Sequence, residues 1–217
     1  MIIMRILLQV PAGLKTKAFQ FASELEAKGN VVFISCENVY GSCDLREHEA
    51  RMLNVDKIIH YGHTRFMKSD IPVEYVEYRE AIDVLPALEK EIGKIKEVDI
   101  CLTASLQFID NIKKVKMFLE AHGKKVVVPN QVDKEKHLYP GQVLGCFNRL
   151  PQAEAYLHIG SGNFHALGMK GKVYVLDVER QEIREIDFLE EMDNLDKQIF
   201  QLDFVILLRL KYQLQIL

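Results

Sequence analysis

The feature that most constrains this chain is one pattern that occurs twice, about a hundred residues apart. In both halves an apolar run leads through an amphipathic stretch and a glycine-bearing turn into a second apolar run. A glycine-framed loop ending in cysteine follows. The first copy runs from Met4–Val10 through a helix expected over Lys15–Lys28 to Gly29–Ile34 and Val39-Tyr40-Gly41-Ser42-Cys43-Asp44. The second runs from Val98–Leu102 through a helix expected over Ile109–His122 to Gly123–Val128 and Gly141-Gln142-Val143-Leu144-Gly145-Cys146. Strand, helix and strand in succession make a βαβ unit, which requires a parallel sheet. The expected fold is therefore α/β, with two similar units whose parallel sheets are flanked by helices. Residues 1–96 and 97–192 form the units, and residues 193–217 form a tail that matches neither.

Ligands of parallel α/β sheets gather beyond the carboxyl ends of the strands. The turn from Gln9 through Pro11 to Gly13 and the Tyr40–Cys43 loop both fall there. So does Tyr61-Gly62-His63-Thr64 after the strand Lys57–His60, and Gly160-Ser161-Gly162 after the strand Tyr156–Ile159. Glycine lets a ligand approach the backbone closely, and the N–H groups of such turns can hold a carboxylate or phosphate. The glycine spacing matches neither a dinucleotide fingerprint nor a phosphate-binding P-loop. Further elements are expected as a helix after Cys43, a strand at Val73–Tyr78, a helix at Ala87–Lys96, a polar turn at Thr103-Ala104-Ser105 and a hairpin from Val173–Asp177 to Glu182–Ile186. In the first helix Ala18, Phe19, Ala22 and Leu25 are expected to share the apolar face.

Composition narrows the class. A net charge of -3 gives no electrostatic drive toward nucleic acid, and the lysines at 113, 114 and 116 read as a solvated helix face. No run reaches the roughly 18 apolar residues of a membrane span, and the N-terminus lacks a secretory leader, so a cytoplasmic protein without a membrane role is expected. Four cysteines at irregular spacing do not form a disulfide framework. Cys36 and Cys101, at the end of and inside apolar strands, read as structural. Cys43 and Cys146 are either ordinary loop thiols or ligands of an iron–sulfur cluster, and zinc lacks the second nearby cysteine of a CxxC pair. His63 reads as a hydrogen-bonding group in the pocket and His60 as structural.

Five stretches together resemble a known family: LLQVPAGLKTKA at Leu7–Ala18, VYGSCD at Val39–Asp44, HYGHT at His60–Thr64, GQVLGC at Gly141–Cys146 and HIGSGNFHALG at His158–Gly168. They are similar to the archaeal form of the radical enzyme of diphthamide biosynthesis, 2-(3-amino-3-carboxypropyl)histidine synthase. The resemblance implies three α/β domains, each giving one cysteine to a 4Fe-4S cluster whose fourth iron is left for S-adenosylmethionine. It implies transfer of the 3-amino-3-carboxypropyl group, as a radical, to a histidine of translation elongation factor 2, with methylthioadenosine released. Cys43 and Cys146 match the first two cluster cysteines. Gln9, Pro11, Gly13, Gly62, His63, Gly160, Ser161 and Gly162 match segments around the cofactor pocket. A homodimer and an external electron donor are implied as partners.

One departure from the family pattern bears on function. No cysteine follows Cys146, and the resemblance fades near Asp193. The chain is thus expected to be a truncated member lacking the third domain, with weak activity or none. The alternatives are a non-catalytic remnant that binds a partner, and a plain nucleotide- or metabolite-binding α/β protein.

Overall fold

The computed structural model describes residues 3–130, 136, 138–144, 149–163 and 165–187. In the first half, β1 (Arg5–Gln9), β2 (Val31–Ile34), β3 (Lys57–Tyr61) and β4 (Val73–Val76) form a parallel sheet in the order β2-β1-β3-β4. In the second half, β5 (Asp99–Ala104), β6 (Lys125–Val127), β7 (Ala155–Gly160) and β8 (Lys172–Asp177) repeat it as β6-β5-β7-β8. A final strand, β9 (Glu182–Glu185), pairs antiparallel with β8 and closes the expected hairpin. The expected α/β class, with two parallel-dominated sheets flanked by helices, is what the chain adopts. The repetition extends to register. Gln9 on β1 lies opposite His60 on β3, and Thr103 on β5 lies opposite His158 on β7.

Strands buried on both faces read as unbroken apolar runs, and β1 shows why. Ile6 and Leu8 pack with Ala18, Ala22 and Ile59 under helix α1 (Lys15–Ala27), whereas Leu7 packs with Ala50 and Ile58 under α2 (Glu47–Met52). In the second sheet Ile100, Leu102, Leu157 and Ile159 meet α3 (Leu85–Glu91) and α4 (Ile112–Ala121) on one face. Cys101, Tyr156, Val173 and Val175 meet Val143 and Met169 on the other. Each fully buried leucine or isoleucine contributes about 1.5–3 kcal/mol relative to exposure. The core is therefore divided between the two sheets.

Three local expectations need correction. Phe19 is 63% exposed, because Ala18 and Ala22, one helical turn apart, bring α1 close to the sheet while Phe19 is rotated off that face. The second unit's helix does not start at Ile109. A 3-10 segment, Leu106–Asn111, precedes α4 and buries Leu106, Phe108 and Ile109 before the wider α-helix begins. Thr103 and Ala104 continue β5 instead of forming a turn, since both are fully buried and paired with His158 and Ile159. Cys101 is buried as expected, but Cys36 is exposed. No helix among the described residues is long and apolar enough to cross a membrane.

The two halves are tied together beside the carboxyl ends of their strands. The Glu80 N–H donates to the Gln107 carbonyl at 2.8 Å, and Arg79 pairs with Asp110 at 2.7 Å. The Tyr139 hydroxyl donates to Glu77 while Arg79 stacks over the same ring at 4.5 Å. These polar pairs set the relative placement of the sheets, and exposed pairs of this kind add little net stability.

Candidate functional site

Both sheets place polar residues where their apolar strands end. Gln9 terminates β1, His60 sits near the end of β3, and Gly62, His63 and Thr64 follow it. From the second half come Thr103 and Ser105 at the end of β5, Gln142 after β6, and His158 near the end of β7. Gln9, His60, His63, Thr64, Thr103, Ser105, Gln142 and His158 are all buried. A direct bond joins the halves, from Gln142 Nε2 to Thr64 Oγ1 at 3.0 Å. Gln142 also meets Ala104 in an isolated parallel bridge, so the glycine-framed loop extends the second sheet before reaching the first unit.

The loop carrying Cys43 is shaped by two charged side chains. Arg46 donates to the Asn38 carbonyl at 2.6 Å and pairs with Glu37 at 2.6 Å and Asp44 at 3.3 Å. Asp44 accepts from the Tyr40 N–H at 3.2 Å, and its own N–H donates to the Gly41 carbonyl at 3.0 Å. The result is a compact turn with Cys43 exposed. Ser42 beside it is buried, and its Oγ has no hydrogen-bond partner among the described residues. A thiolate flanked by an uncommitted hydroxyl is a chemically suitable cluster ligand, because hydrogen bonds from the surroundings tune such ligands. Cys146 lies outside the described residues. Among the described residues no three His, Cys, Asp or Glu side chains are grouped closely enough to hold a metal ion.

Burial dominates the electrostatics. His60 is pushed down to about 3, first by desolvation and then by the neighbouring His63. His63 is lowered to about 4 by desolvation and by His165, against the opposing pull of Asp44. His158 is lowered to about 3 by desolvation and by His165, and His165 to about 4 by desolvation alone. All four are neutral near pH 7. They lie in two pairs: the ring centroids of His60 and His63 are 4.9 Å apart, and those of His158 and His165 are 5.9 Å apart. Tyr75 stacks on His60 at 5.2 Å.

The expected glycines divide into two kinds. A Cβ on Gly62 would stand 2.9 Å from Leu14 Cδ1 and 3.3 Å from Pro11, so Gly62 and Pro11 belong to one packed turn. A Cβ on Gly160 would stand 2.8 Å from His158 Nε2 and 3.1 Å from Ser105 Oγ. The room at these two positions is used by the protein's own side chains. Gly13 and Gly162 have nothing within 4 Å of the added atom, and Ser161 beside Gly162 is exposed, which leaves these backbones open to a ligand. The structure thus links Gln9 to His63 through His60, and it places Gly160 against His158. Four contributors escape a reading of glycine and cysteine spacing: Thr64, Ser105, Gln142 and Arg46. For Thr64 and Ser105 the signal is a polar residue just past an otherwise apolar strand, whereas Gln142 and Arg46 lie in loops and carry no such signal.

The geometry defines a duplicated parallel α/β protein with one polar site at the carboxyl edges of both sheets. Residues 10–194 match the family model described as "Putative diphthamide synthesis protein", and the chain belongs to that family. It is 36% identical over 183 residues to the 2-(3-amino-3-carboxypropyl)histidine synthase of Pyrococcus horikoshii, a match covering 80% of this chain and 53% of that protein. It is 31% identical over 179 residues to subunit 1 of the synthase from Eremothecium gossypii, covering 74% of this chain and 39% of that one. The crystal structure of Dph2 from Pyrococcus horikoshii with a 4Fe-4S cluster superposes with a TM-score of 0.74 at 34% identity, covering 90% of this chain and 60% of that one. The chain spans about half the length of the first of these curated relatives.

Proposed function

We propose that this chain carries the first two units of a cluster-dependent transferase that moves the 3-amino-3-carboxypropyl group of S-adenosylmethionine to a histidine of translation elongation factor 2. The observation that supports this reading most is the meeting of its matched motifs. Gln9 bonds the Cys43 loop and His60, and Gln142 of the second loop bonds Thr64 of the first unit. Motifs far apart in sequence therefore serve one site, in a chain whose relatives are named for this transfer.

In this reading Cys43 and Cys146 hold a 4Fe-4S cluster. The bound cluster supplies the electron needed to break a sulfonium carbon–sulfur bond. The chain's own residues bind and orient. The open backbones at Gly13 and Gly162, with Ser161, offer N–H groups to the carboxylate or ribose of S-adenosylmethionine. The buried, neutral histidines keep cationic charge and bulk water away from the pocket wall, which suits a reactive intermediate. Elongation factor 2 as protein substrate, a homodimer and an external electron donor complete the proposal.

The test is anaerobic iron–sulfur reconstitution of this chain and of Cys43→Ala and Cys146→Ala, with iron counted per chain and methylthioadenosine release followed. About four irons per chain in the parent, lost in both variants, supports the reading. Iron that is absent, or indifferent to both cysteines, overturns it and leaves the family's fold without its chemistry.

A further inference from the structure

The bonds around Gln9 have a direction that the protein backbone imposes. The Gln9 side chain is fully buried and touches three groups: the Arg46 N–H at 3.0 Å, the Asp44 carbonyl at 2.7 Å and His60 Nδ1 at 2.9 Å. A backbone N–H can only donate and a backbone carbonyl can only accept. The amide oxygen must therefore face Arg46, and the amide nitrogen must face Asp44. The reverse placement would set two acceptors 2.7 Å apart and two donors 3.0 Å apart. One amide hydrogen serves Asp44, and the other is left to donate to His60 Nδ1.

The consequence passes along the ring pair. A neutral imidazole that accepts at one nitrogen carries its proton on the other. His60 accepts at Nδ1, so it is protonated at Nε2, and that nitrogen lies 2.8 Å from His63 Nδ1. His63 in turn accepts at Nδ1 and carries its proton on Nε2, the nitrogen on the side of the ring away from His60. We propose that Gln9 is a positioning residue that fixes both histidines as Nε2–H tautomers, so that His63 offers a hydrogen-bond donor at Nε2. The group that His63 can receive is an acceptor, such as a carboxylate or carbonyl oxygen. A metal ion at that nitrogen would first require the whole relay to reverse.

The same amide grips the backbone on the far side of Cys43, at Asp44 and Arg46. Loop position and histidine tautomer are thereby set by one side chain. The second unit lacks the device. His158, in the register position of His60, lies 3.1 Å from both Thr103 Oγ1 and Ser105 Oγ, hydroxyls that rotate to donate or accept. The polarisation thus belongs to the first unit alone.

Two-bond proton–nitrogen correlation spectra of the full chain labelled with 15N-histidine read each tautomer directly. Signals are assigned by their loss in His60→Gln and His63→Gln, near pH 7.5. The native chain is expected to show His60 and His63 both protonated at Nε2 with Nδ1 bare. In Gln9→Glu an ionised side chain can only accept from His60 and no longer donates to the Asp44 carbonyl, so Nδ1 of His60 gains a proton while the His158 pattern is unchanged. In Gln9→Met, which keeps the volume and removes the donor, the single His60 tautomer gives way to a mixture. His60 protonated at Nδ1 in the native chain overturns the proposal even if neither variant folds. An Nε2–H pattern that persists in the variants overturns Gln9 as its cause.

Discussion

Acid should unfold this protein well above the range in which carboxylates titrate. His60, His63, His158 and His165 have folded pKa values of about 3, 4, 3 and 4, whereas an unfolded histidine titrates near 6.5. Between those limits the unfolded chain binds protons that the folded chain refuses. Stability from these groups is therefore complete above about pH 6.5 and is lost as the pH falls from there toward 4. Each such histidine costs about 1 kcal/mol over this pH unit, so the four together cost about 4 kcal/mol on going from pH 6.5 to 5.5. That figure is an upper bound, because any proton that the folded chain does take up shrinks the difference from the unfolded chain. A domain stable by about 5–15 kcal/mol loses roughly a quarter or more of its stability in that single step. The depressed carboxyls of Glu97 and Glu154 act in the same sense only below their ordinary range, so they leave this window clear. Urea unfolding at pH 7.5, 6.5 and 5.5, with slopes held common, measures the loss. His158→Gln should flatten the dependence by close to one proton. Stability constant to within about 1 kcal/mol across this window would refute the placement of four neutral histidines in the interior.

Other perturbations separate the roles of particular side chains. Gly160→Ala pushes a methyl group to 2.8 Å from His158 Nε2 and should lower stability by about 1–3 kcal/mol in urea titrations. Gly162→Ala meets no neighbour and bears only the strain of φ +72, about 1–2 kcal/mol, so a larger loss there would mean the turn is packed more tightly than described. Thr64→Val removes the hydroxyl that accepts from Gln142 Nε2, a cost of about 1–3 kcal/mol by thermal or urea unfolding. Loss of iron in Cys43→Ala and the tautomer reversal in Gln9→Glu complete the set.

Much of the architecture was legible because apolar runs and glycine punctuation follow directly from sheet burial. Ile6, Leu7 and Leu8 announce a strand covered on both faces, and Gly29 and Gly123 stop the two helices in the left-handed conformation that glycine favours. Periodicity fails where two neighbouring positions are both apolar. Phe19 looked like core beside Ala18, yet the helix was set against the sheet by its small residues, and the larger one was left outside. The strand ends were misjudged for the converse reason. Thr103 is polar and so reads as turn, but its hydroxyl reaches a buried histidine on the adjacent strand and can remain inside the sheet. Site residues named from glycine and cysteine spacing omitted Thr64, Gln142 and Ser105. No local pattern marks a hydrogen bond between residues 78 positions apart, such as that from Gln142 to Thr64.

The duplication also explains why the site could become asymmetric. Both units place a histidine near the end of the third strand, opposite a polar residue on the first. In one unit that opposite residue is glutamine, whose amide is committed in direction by the backbone of the cysteine loop. In the other it is threonine, whose hydroxyl is free to turn. Two copies of one scaffold thus present a polarised pair on one side and an adaptable histidine on the other. A charge on His165, from the second unit, would oppose a charge on His63 as well as on His158. Neutrality of His63 therefore depends in part on the second unit. Separating the units would expose His63 and return it toward ordinary titration, which makes the pH dependence of stability a direct report on their docking.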